Sequence, residues 1–325
     1  MKLVSILVPE GAVLGSVEGP HKIFREINDF IISTGKPPLF SVQLVGIGRE
    51  VKLNDGLFTI KPDITINDTT KSDLVIIPAF HGDMQQMVDM NRDMVPWIIK
   101  QYKAGAEVAS LCLGAFLLAE TGLLNGKKCA THWLASNDFR RMFPAVELVT
   151  EKIITDEQGI YSSGGAYSYL NLILYLLEKY AGRDVAIFCA KVYQIEIDRG
   201  SQSPFIMFKG QKQHEDDAVK KAQEFIEKNF QEKITVDQLA SMLAVGRRNF
   251  ERRFKKATAN TVVEYIQRVK IEAAKMSLES SRENVNEVMY NVGYIDPKAF
   301  RITFKRLTGL SPVQYRNKYN RQMVA

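Results

Sequence analysis

The stretch "ITVDQLASMLAVGRRNFERRFKKATA", Ile234 to Ala259, decides the fold of the last third of the chain. Thr235 and Gln238 stand at the capping-box interval and open a helix. Leu239 and Leu243 form its buried stripe, Ala240 permits close helix contact, and Gly246 marks a turn. A second helix starts at Arg247 and buries Phe250 and Phe254. Its other face carries Arg247, Arg248, Asn249, Glu251, Arg252, Arg253 and Lys255. Two short helices across a glycine-containing turn, the second basic and amphipathic, describe a helix-turn-helix.

The pattern repeats downstream. Asn284 and Glu287 again have the capping-box interval, Val288 and Val292 are apolar, Gly293 sits at the turn, and Phe300 and Phe304 face inward. The exposed face carries Asp296, Lys298, Arg301 and Lys305. Phe250 to Phe300 and Phe254 to Phe304 are both intervals of fifty. Between the units, "TVVEYIQRVKIEAAKMSLES" (261–280) has a helical apolar stripe and serves as a rigid spacer. Two such units on one stiff helix could enter successive major-groove segments about 34 Å apart. Upstream, "AVKKAQEFIEKNF" (218–230) puts Ala222, Phe225, Ile226 and Phe230 on one stripe, and the polar stretch before it reads as a linker.

Charge follows the same division. The net charge is +6, yet residues 211–325 hold 22 Lys/Arg against 14 Asp/Glu, while residues 1–210 hold 21 against 23. All the excess positive charge lies in the helical third, which suits a nucleic-acid-binding domain attached to a neutral one.

The first two hundred residues alternate strands and helices. Apolar runs at 2–9, 40–48, 73–80 and 106–112, with "KKCATHW" (127–133) as a further candidate, predict strands. Helices are expected at 20–33, at 84–105, after Cys112, and over 166–194 with an interruption at Gly182. The alternation predicts an α/β domain with a mainly parallel sheet, in which ligands bind outside the carboxyl ends of the strands. Cys112, in "SLCLGAF", sits at such an end. A thiol on a sharp strand-to-helix turn can be activated by the following helix N-terminus, or can simply be a small buried apolar residue.

The 325-residue length suits two domains, and 46% apolar residues make a globular chain. Three cysteines, an odd number, argue against a disulfide framework and for a reducing compartment. The opening "MKLVSILVPEG" breaks too early for a signal peptide, and no apolar run approaches the roughly 20 residues of a membrane span. A cytoplasmic protein without membrane attachment is expected. No Walker or G-x-G-x-x-G pattern and no metal-ligand spacing occurs, so neither cofactor nor metal is expected.

"SLCLGAFLLAETGLLNGKKCATHW" resembles the strand-cysteine-helix segment of the PfpI/class I glutamine-amidotransferase-like superfamily, with likeness from Leu3 to about Gln194. The resemblance implies a flavodoxin-like fold. It puts Cys112 at the nucleophile position and His132 at a pocket histidine. Leu113 stands where peptidase members have a histidine, Ser16 where a glutamate usually faces the cysteine, and "AFHG" (79–82) replaces paired glycines. Without a carboxylate partner and an adjacent base, the activated-nucleophile arrangement is incomplete. The tandem helical unit, closing in "FKRLTGLSPVQYR" (304–316), resembles the AraC/XylS DNA-binding domain. That resemblance implies base contacts from Arg248, Glu251, Arg252, Pro297, Lys298 and Arg301, and phosphate contacts from Lys255, Lys256, Lys305 and Arg306. Gly246 in place of a capping serine, Met289 in place of alanine and Ile302 in place of a polar residue depart from its pattern. The second unit is therefore expected to read bases weakly and serve more for backbone contact.

Together these readings predict three segments. They are a PfpI-like sensor domain over 1–195, a linker over 196–217, and an all-α double helix-turn-helix domain over 218–320. The expected function is sequence-specific transcriptional regulation, with a small molecule sensed in a non-catalytic pocket of Cys112, Leu113, Ser16, Phe80 and His132. The family resemblance implies promoter DNA, a small and particularly nitrogenous effector, a homodimer through the N-terminal domain, and RNA polymerase as partners. An active cysteine-dependent amidase and a thiol redox sensor remain open as alternatives.

Overall fold

Strand β1 (Lys2–Val8) is buried from Val4 onward, so it needs cover on both faces. The computed structural model, which describes residues 1–68, 70–197 and 199–320, supplies that cover from helices on either side. The chain divides into two units, Met1–Gln202 and Ser203–Ala325.

In the first unit β1 leads into α1 (Leu14–Ser33) and β2 (Phe40–Gly46). A short hairpin, β3 (Val51–Leu53) and β4 (Phe58–Ile60), precedes β5 (Ile64–Thr65) and β6 (Leu74–Ile77). Next come α2 (Met84–Met90), α3 (Met94–Lys103), β7 (Glu107–Leu111), α4 (Ala115–Glu120), β8 (Lys128–Cys129) and α5 (Ser136–Met142). The unit closes with β9 (Glu147–Leu148), β10 (Ile154–Asp156), β11 (Ile160–Ser163), α6 (Tyr169–Ala181) and α7 (Arg183–Val192).

Among the described residues the main sheet has seven strands in the order β10-β11-β7-β6-β1-β2-β5, parallel except for β10 against β11. Strand side chains alternate between faces. Val4, Ile6 and Val8 of β1 pack toward α1, α6 and α7, while Leu7 joins Val75 and Ile77 of β6 in the layer of α2 to α5. Strand order reverses between β1 and β6, which places the crevice of this sheet at their carboxyl ends.

Several expectations need correction. The first helix starts at Leu14 rather than residue 20 and carries Pro20 inside it. The 84–105 helix is broken at Asn91. Its buried side chain bonds the carbonyls of Met87 and Glu10 and accepts the Glu10 N–H at 2.7 Å, tying the break to the loop after β1. "KKCATHW" contributes only Lys128 and Cys129 as strand, paired with β9 outside the main sheet. Strands β10 and β11 were not foreseen. A tight turn with positive φ at Gln158 and Gly159 joins them.

The second unit holds α8 (Asp217–Lys228), α9 (Val236–Met242), α10 (Arg247–Thr258), α11 (Val262–Ser280), α12 (Val285–Asn291), α13 (Pro297–Thr308) and α14 (Pro312–Tyr319). It has two cores. Val219, Ile226, Leu239, Phe250, Phe254 and Tyr265 make one, and Ile271, Leu278, Val288, Phe300, Phe304 and Tyr315 the other. Helix α11 contributes to both. Its buried Lys270 donates Nζ to the Gly293 carbonyl at 2.9 Å and to the Glu232 carbonyl at 3.3 Å, so it joins the turn of the second motif to the loop before α9. Much of the segment expected as a linker is ordered against this unit. Lys275 Nζ donates to the Ile206 carbonyl at 2.6 Å, the Phe208 N–H donates to Glu272 at 3.0 Å, and Tyr319 donates to the Pro204 carbonyl. Asp198 of that segment lies outside the described residues.

The repeat is not uniform. Helices α9 and α12 are offset by forty-nine residues and α10 and α13 by fifty, so the second turn is one residue longer. In the shorter turn the left-handed residue is Ala244 (φ 52°), and Gly246 is an extended N-cap (φ −66°). In the longer turn Gly293 is left-handed (φ 74°), and a Cβ there would collide with the Gln231 carbonyl.

The two turn glycines should respond oppositely. Gly293→Ala should destabilise the full chain by about 2 kcal/mol or more, since backbone strain and a backbone clash add. Gly246→Ser should gain a few tenths of a kcal/mol by supplying a side-chain cap. Denaturant unfolding followed by helical circular dichroism measures both, and equal losses would contradict the assignment.

Candidate functional site

The N-terminal candidate is built where β7 turns into α4. Leu111 is extended, Cys112 is left-handed at φ 54°, and a single 3-10 turn, Cys112–Gly114, leads into the helix. A non-glycine residue in that region carries about 1–2 kcal/mol of strain. Gly114 makes the bend passable, because a Cβ there would lie 2.5 Å from the carbonyl oxygens of Ile77 and Pro78 at the end of β6.

Cys112 is 5% exposed. Burial pushes its thiol up to about 12, and the Leu113 N–H beside the sulfur offsets only part of this. Desolvation outweighs the helix N-terminus, so the thiol stays protonated at neutral pH.

The other pocket candidates surround the same sheet end. Ser16, buried at the start of α1, donates Oγ to the Val13 carbonyl at 2.7 Å and accepts the Ala79 N–H at 3.1 Å. Its hydroxyl thus pins the loop after β1 to the loop after β6. The Val13 N–H to Ala79, the His81 N–H to Gly11, and an Ala12–Phe80 bridge complete the seam. Phe80 is buried within the α2–α5 layer, and Leu113 is half-buried.

His132, also half-buried, caps the 3-10 turn Trp133–Ala135 by accepting the Leu134 N–H on Nδ1 at 3.2 Å. Burial lowers its pKa, which favours the neutral ring. With Nδ1 accepting, the proton sits on Nε2, and neither nitrogen is left as a free base.

Two residues outside the sequence reading complete this region. Buried Thr131 donates Oγ1 to the Cys112 carbonyl at 2.9 Å. Gln202, 1% exposed, donates Nε2 to the Thr131 carbonyl at 3.0 Å and to the Lys152 carbonyl at 3.2 Å. Its amide lies against Gly164, where a Cβ would collide with it. The "GG" at 164–165 was the only sequence signal for this cradle. Among the described residues no group of three or more His, Cys, Asp or Glu side chains could hold a metal ion, and no helix is long and apolar enough to cross a membrane.

The second candidate surface is the outer face of α10 and α13. Arg248, Glu251, Arg252, Lys255 and Lys256 on α10 are exposed, as are Pro297, Lys298, Arg301, Lys305 and Arg306 on α13. Some are already engaged. Glu251 lies 3.5 Å from Arg247, Arg252 donates to Asn249 at 3.1 Å, and Arg306 donates to Gln267 at 2.7 Å. Arg253, grouped by sequence with the exposed face, instead makes a two-pronged pair with Asp216 at 2.6 and 2.8 Å, the residue that caps α8.

Two family models match the chain, a helix-turn-helix domain over residues 239–318 and the DJ-1/PfpI family over residues 5–179. The HTH-type transcriptional regulator GbdR of Pseudomonas aeruginosa is 27% identical over 272 residues, covering 82% of this chain and 71% of its own length. The regulator CdhR of the same species is 23% identical over 314 residues, covering 96% of this chain and 90% of its own. Among solved structures, a ThiJ/PfpI family protein from Pseudomonas syringae has a TM-score of 0.50 at 18% identity. It covers 61% of this chain and 76% of its own, a likeness of fold.

The buried thiols set a pH dependence. Cys112, Cys129 and Cys189 are each pushed up to about 12 by burial. Unfolded thiols lose their protons first, near pH 8.5. The stabilisation is therefore full below that pH, and is lost progressively as pH rises toward about 12. Correspondingly, iodoacetamide labelling of Cys112, followed by peptide mass mapping, should still be accelerating at pH 10. A plateau below pH 8.5 would show an activated thiolate.

Proposed function

The chain belongs to the DJ-1/PfpI family and is a DNA-binding transcriptional regulator with an AraC-type helix-turn-helix domain, and we propose that its first unit senses a small molecule with Cys112 as pocket wall rather than nucleophile. One observation carries this reading. The strand-to-helix elbow is kept at φ 54°, yet burial holds its thiol protonated and the neighbouring Ser16 hydroxyl is committed to backbone groups. The cap made by His132 supports it, because the Nδ1 lone pair that thiol chemistry would use as its base already accepts the Leu134 N–H.

The route of the signal starts from the same elbow. Cys112 is bonded through its carbonyl to Thr131, and Thr131 through its carbonyl to Gln202. Gln202 is the last residue of the first unit, and Ser203 begins the second. A ligand that favours one arrangement of the elbow would bias the chain entering the DNA-binding unit, by no more than its differential affinity for the two arrangements. Promoter DNA is the partner the family implies. A homodimer through the first unit and contact with RNA polymerase belong to the same proposal.

On DNA, Arg248, Glu251, Arg252, Pro297, Lys298 and Arg301 face bases in this reading, while Lys255, Lys256, Lys305 and Arg306 hold phosphates. Four phosphate contacts should reduce affinity about a hundredfold between 50 and 200 mM salt. Arg248→Ala should relax base preference by about 10- to 100-fold. Lys256→Ala should weaken binding to all duplexes alike and lower the salt slope by about one. Equal effects from both variants would overturn the division.

For sensing, a promoter reporter screened against small metabolites should find an inducer whose effect persists in Cys112→Ala and is lost in Gln202→Ala, with DNA binding intact in both. Loss of induction in Cys112→Ala alone would instead support thiol chemistry at the elbow.

A further inference from the structure

The two recognition helices correspond at an offset of fifty along their whole length. Phe250, Phe254 and Thr258 are buried on α10 as Phe300, Phe304 and Thr308 are on α13. The same offset pairs Arg248 with Lys298, Lys255 with Lys305, Lys256 with Arg306, and Arg252 with Ile302. At 100° per residue, position 302 lies about 160° from both Phe300 and Phe304, which is the middle of the exposed face. Arg252 occupies the same place on α10.

Ile302 is 58% exposed there. Lys298 lies four residues before it and Lys305 three after it, so a cation flanks the isoleucine on either side along the helix. Ile295, 88% exposed in the turn just before α13, adds a second apolar group at the helix entry. One exposed isoleucine on a protein surface means little. An isoleucine centred between two lysines, at the position where the sister helix has arginine, is a defined chemical arrangement.

We infer that Ile302 is a specificity-determining residue of the second helix-turn-helix and selects the 5-methyl group of thymine in the major groove. The inference rests on the proposed reading of α10 and α13 as the base-facing helices. Thymine alone among the four bases presents a methyl group in that groove, and apolar side chains contact it. Ile302 has no donor or acceptor. Set against guanine, it would desolvate O6 and N7 without replacing their hydrogen bonds with water, so the position selects against guanine as well as for thymine. Arg252 carries the opposite preference, because guanidinium matches guanine O6 and N7. The site of one chain is therefore asymmetric, with guanine under α10 and thymine under α13, about one helical turn apart. Under this inference the second unit reads a base in its own right as well as contacting the backbone.

The test uses the full chain and a duplex recovered by selection from a randomised pool. Each thymine is replaced singly by deoxyuridine, which removes only the methyl group, and dissociation constants are measured by fluorescence anisotropy. At one thymine in the half-site lacking the Arg252-dependent guanine, the replacement should weaken wild-type binding by about fourfold, the worth of one buried methyl. Ile302→Ala should bind the thymine and deoxyuridine duplexes equally. Ile302→Arg, carried through the same selection, should recover guanine at that position. Because residue 302 is exposed, both variants should keep the wild-type circular dichroism spectrum.

If no replacement weakens wild-type binding by more than about twofold while Arg252→Ala still relaxes a guanine preference, the thymine inference alone fails. Persistence of the thymine preference in Ile302→Ala also overturns it. If Arg252→Ala changes no base preference either, the assignment of the base-facing helices fails with it.

Discussion

Both helix-turn-helix cores are built on one helix, and that sharing constrains the whole DNA-binding unit. Helix α11 runs from Val262 to Ser280, roughly 28 Å at 1.5 Å per residue. Its first turns give Val262 and Tyr265 to one core, and its later turns give Ile271, Ala274 and Leu278 to the other. A helix so anchored at both ends cannot bend without opening a core. Lys270 sits between the two sets with its amine on the carbonyls of Glu232 and Gly293, and burial lowers its pKa. A buried amine is tolerated only where hydrogen bonds replace its water. Here those bonds come from both motifs, so the cost of burying the lysine is offset only while the motifs keep their mutual position.

The first unit is governed by a different balance. The elbow at Cys112 retains the geometry that activates thiols in other settings, with a left-handed residue followed by a helix N-terminus. A helix end is worth only about 0.3–1 kcal/mol to an anion, less than a thiolate loses when it is taken out of water this completely. Burial of Cys112 therefore decides its protonation. The cause is the tightness of the surrounding backbone. Gly114 lies against the carbonyls of Ile77 and Pro78, and Ser16 and the Ala12–Phe80 bridge draw the loops after β1 and β6 together at the switch point of the sheet.

Legibility in the sequence varied with how local the signal was. Helices α9, α10, α12 and α13 were readable because capping residues and paired phenylalanines act within a few residues of one another, and Gly182 likewise marked the break between α6 and α7. Strands β10 and β11 were missed because their run is short and polar at its centre, and β11 belongs to the sheet only through pairing with β7 some fifty residues earlier. The turn offset was hidden because the phenylalanine pairs keep a spacing of fifty while the preceding helices keep forty-nine. At the candidate site, the position of Cys112 on the turn could be read from "SLCLGAF", but its protonation could not. Desolvation is a property of the packed loops. Gln202 is not legible because nothing local distinguishes a glutamine in a polar stretch; the Thr131 and Lys152 carbonyls and the space over Gly164 give it its role.

The same tightness bears on how a regulator could use a cysteine on a strand-to-helix elbow. A reactive thiol must be reached by solvent and by its base, which requires a site that tolerates opening. A sensing wall has the opposite requirement, because a ligand shifts an equilibrium only if the two arrangements differ in free energy. The elbow provides a candidate for such a pair of states. Its left-handed residue is held against about 1–2 kcal/mol of strain by the surrounding bonds, among them the one from Thr131. Small rearrangements of the Cys112 carbonyl would be felt at Thr131, and the Thr131 carbonyl is where Gln202 is fastened. Under the proposed reading, the strained turn matters for where its carbonyl points, while the sulfur contributes only volume.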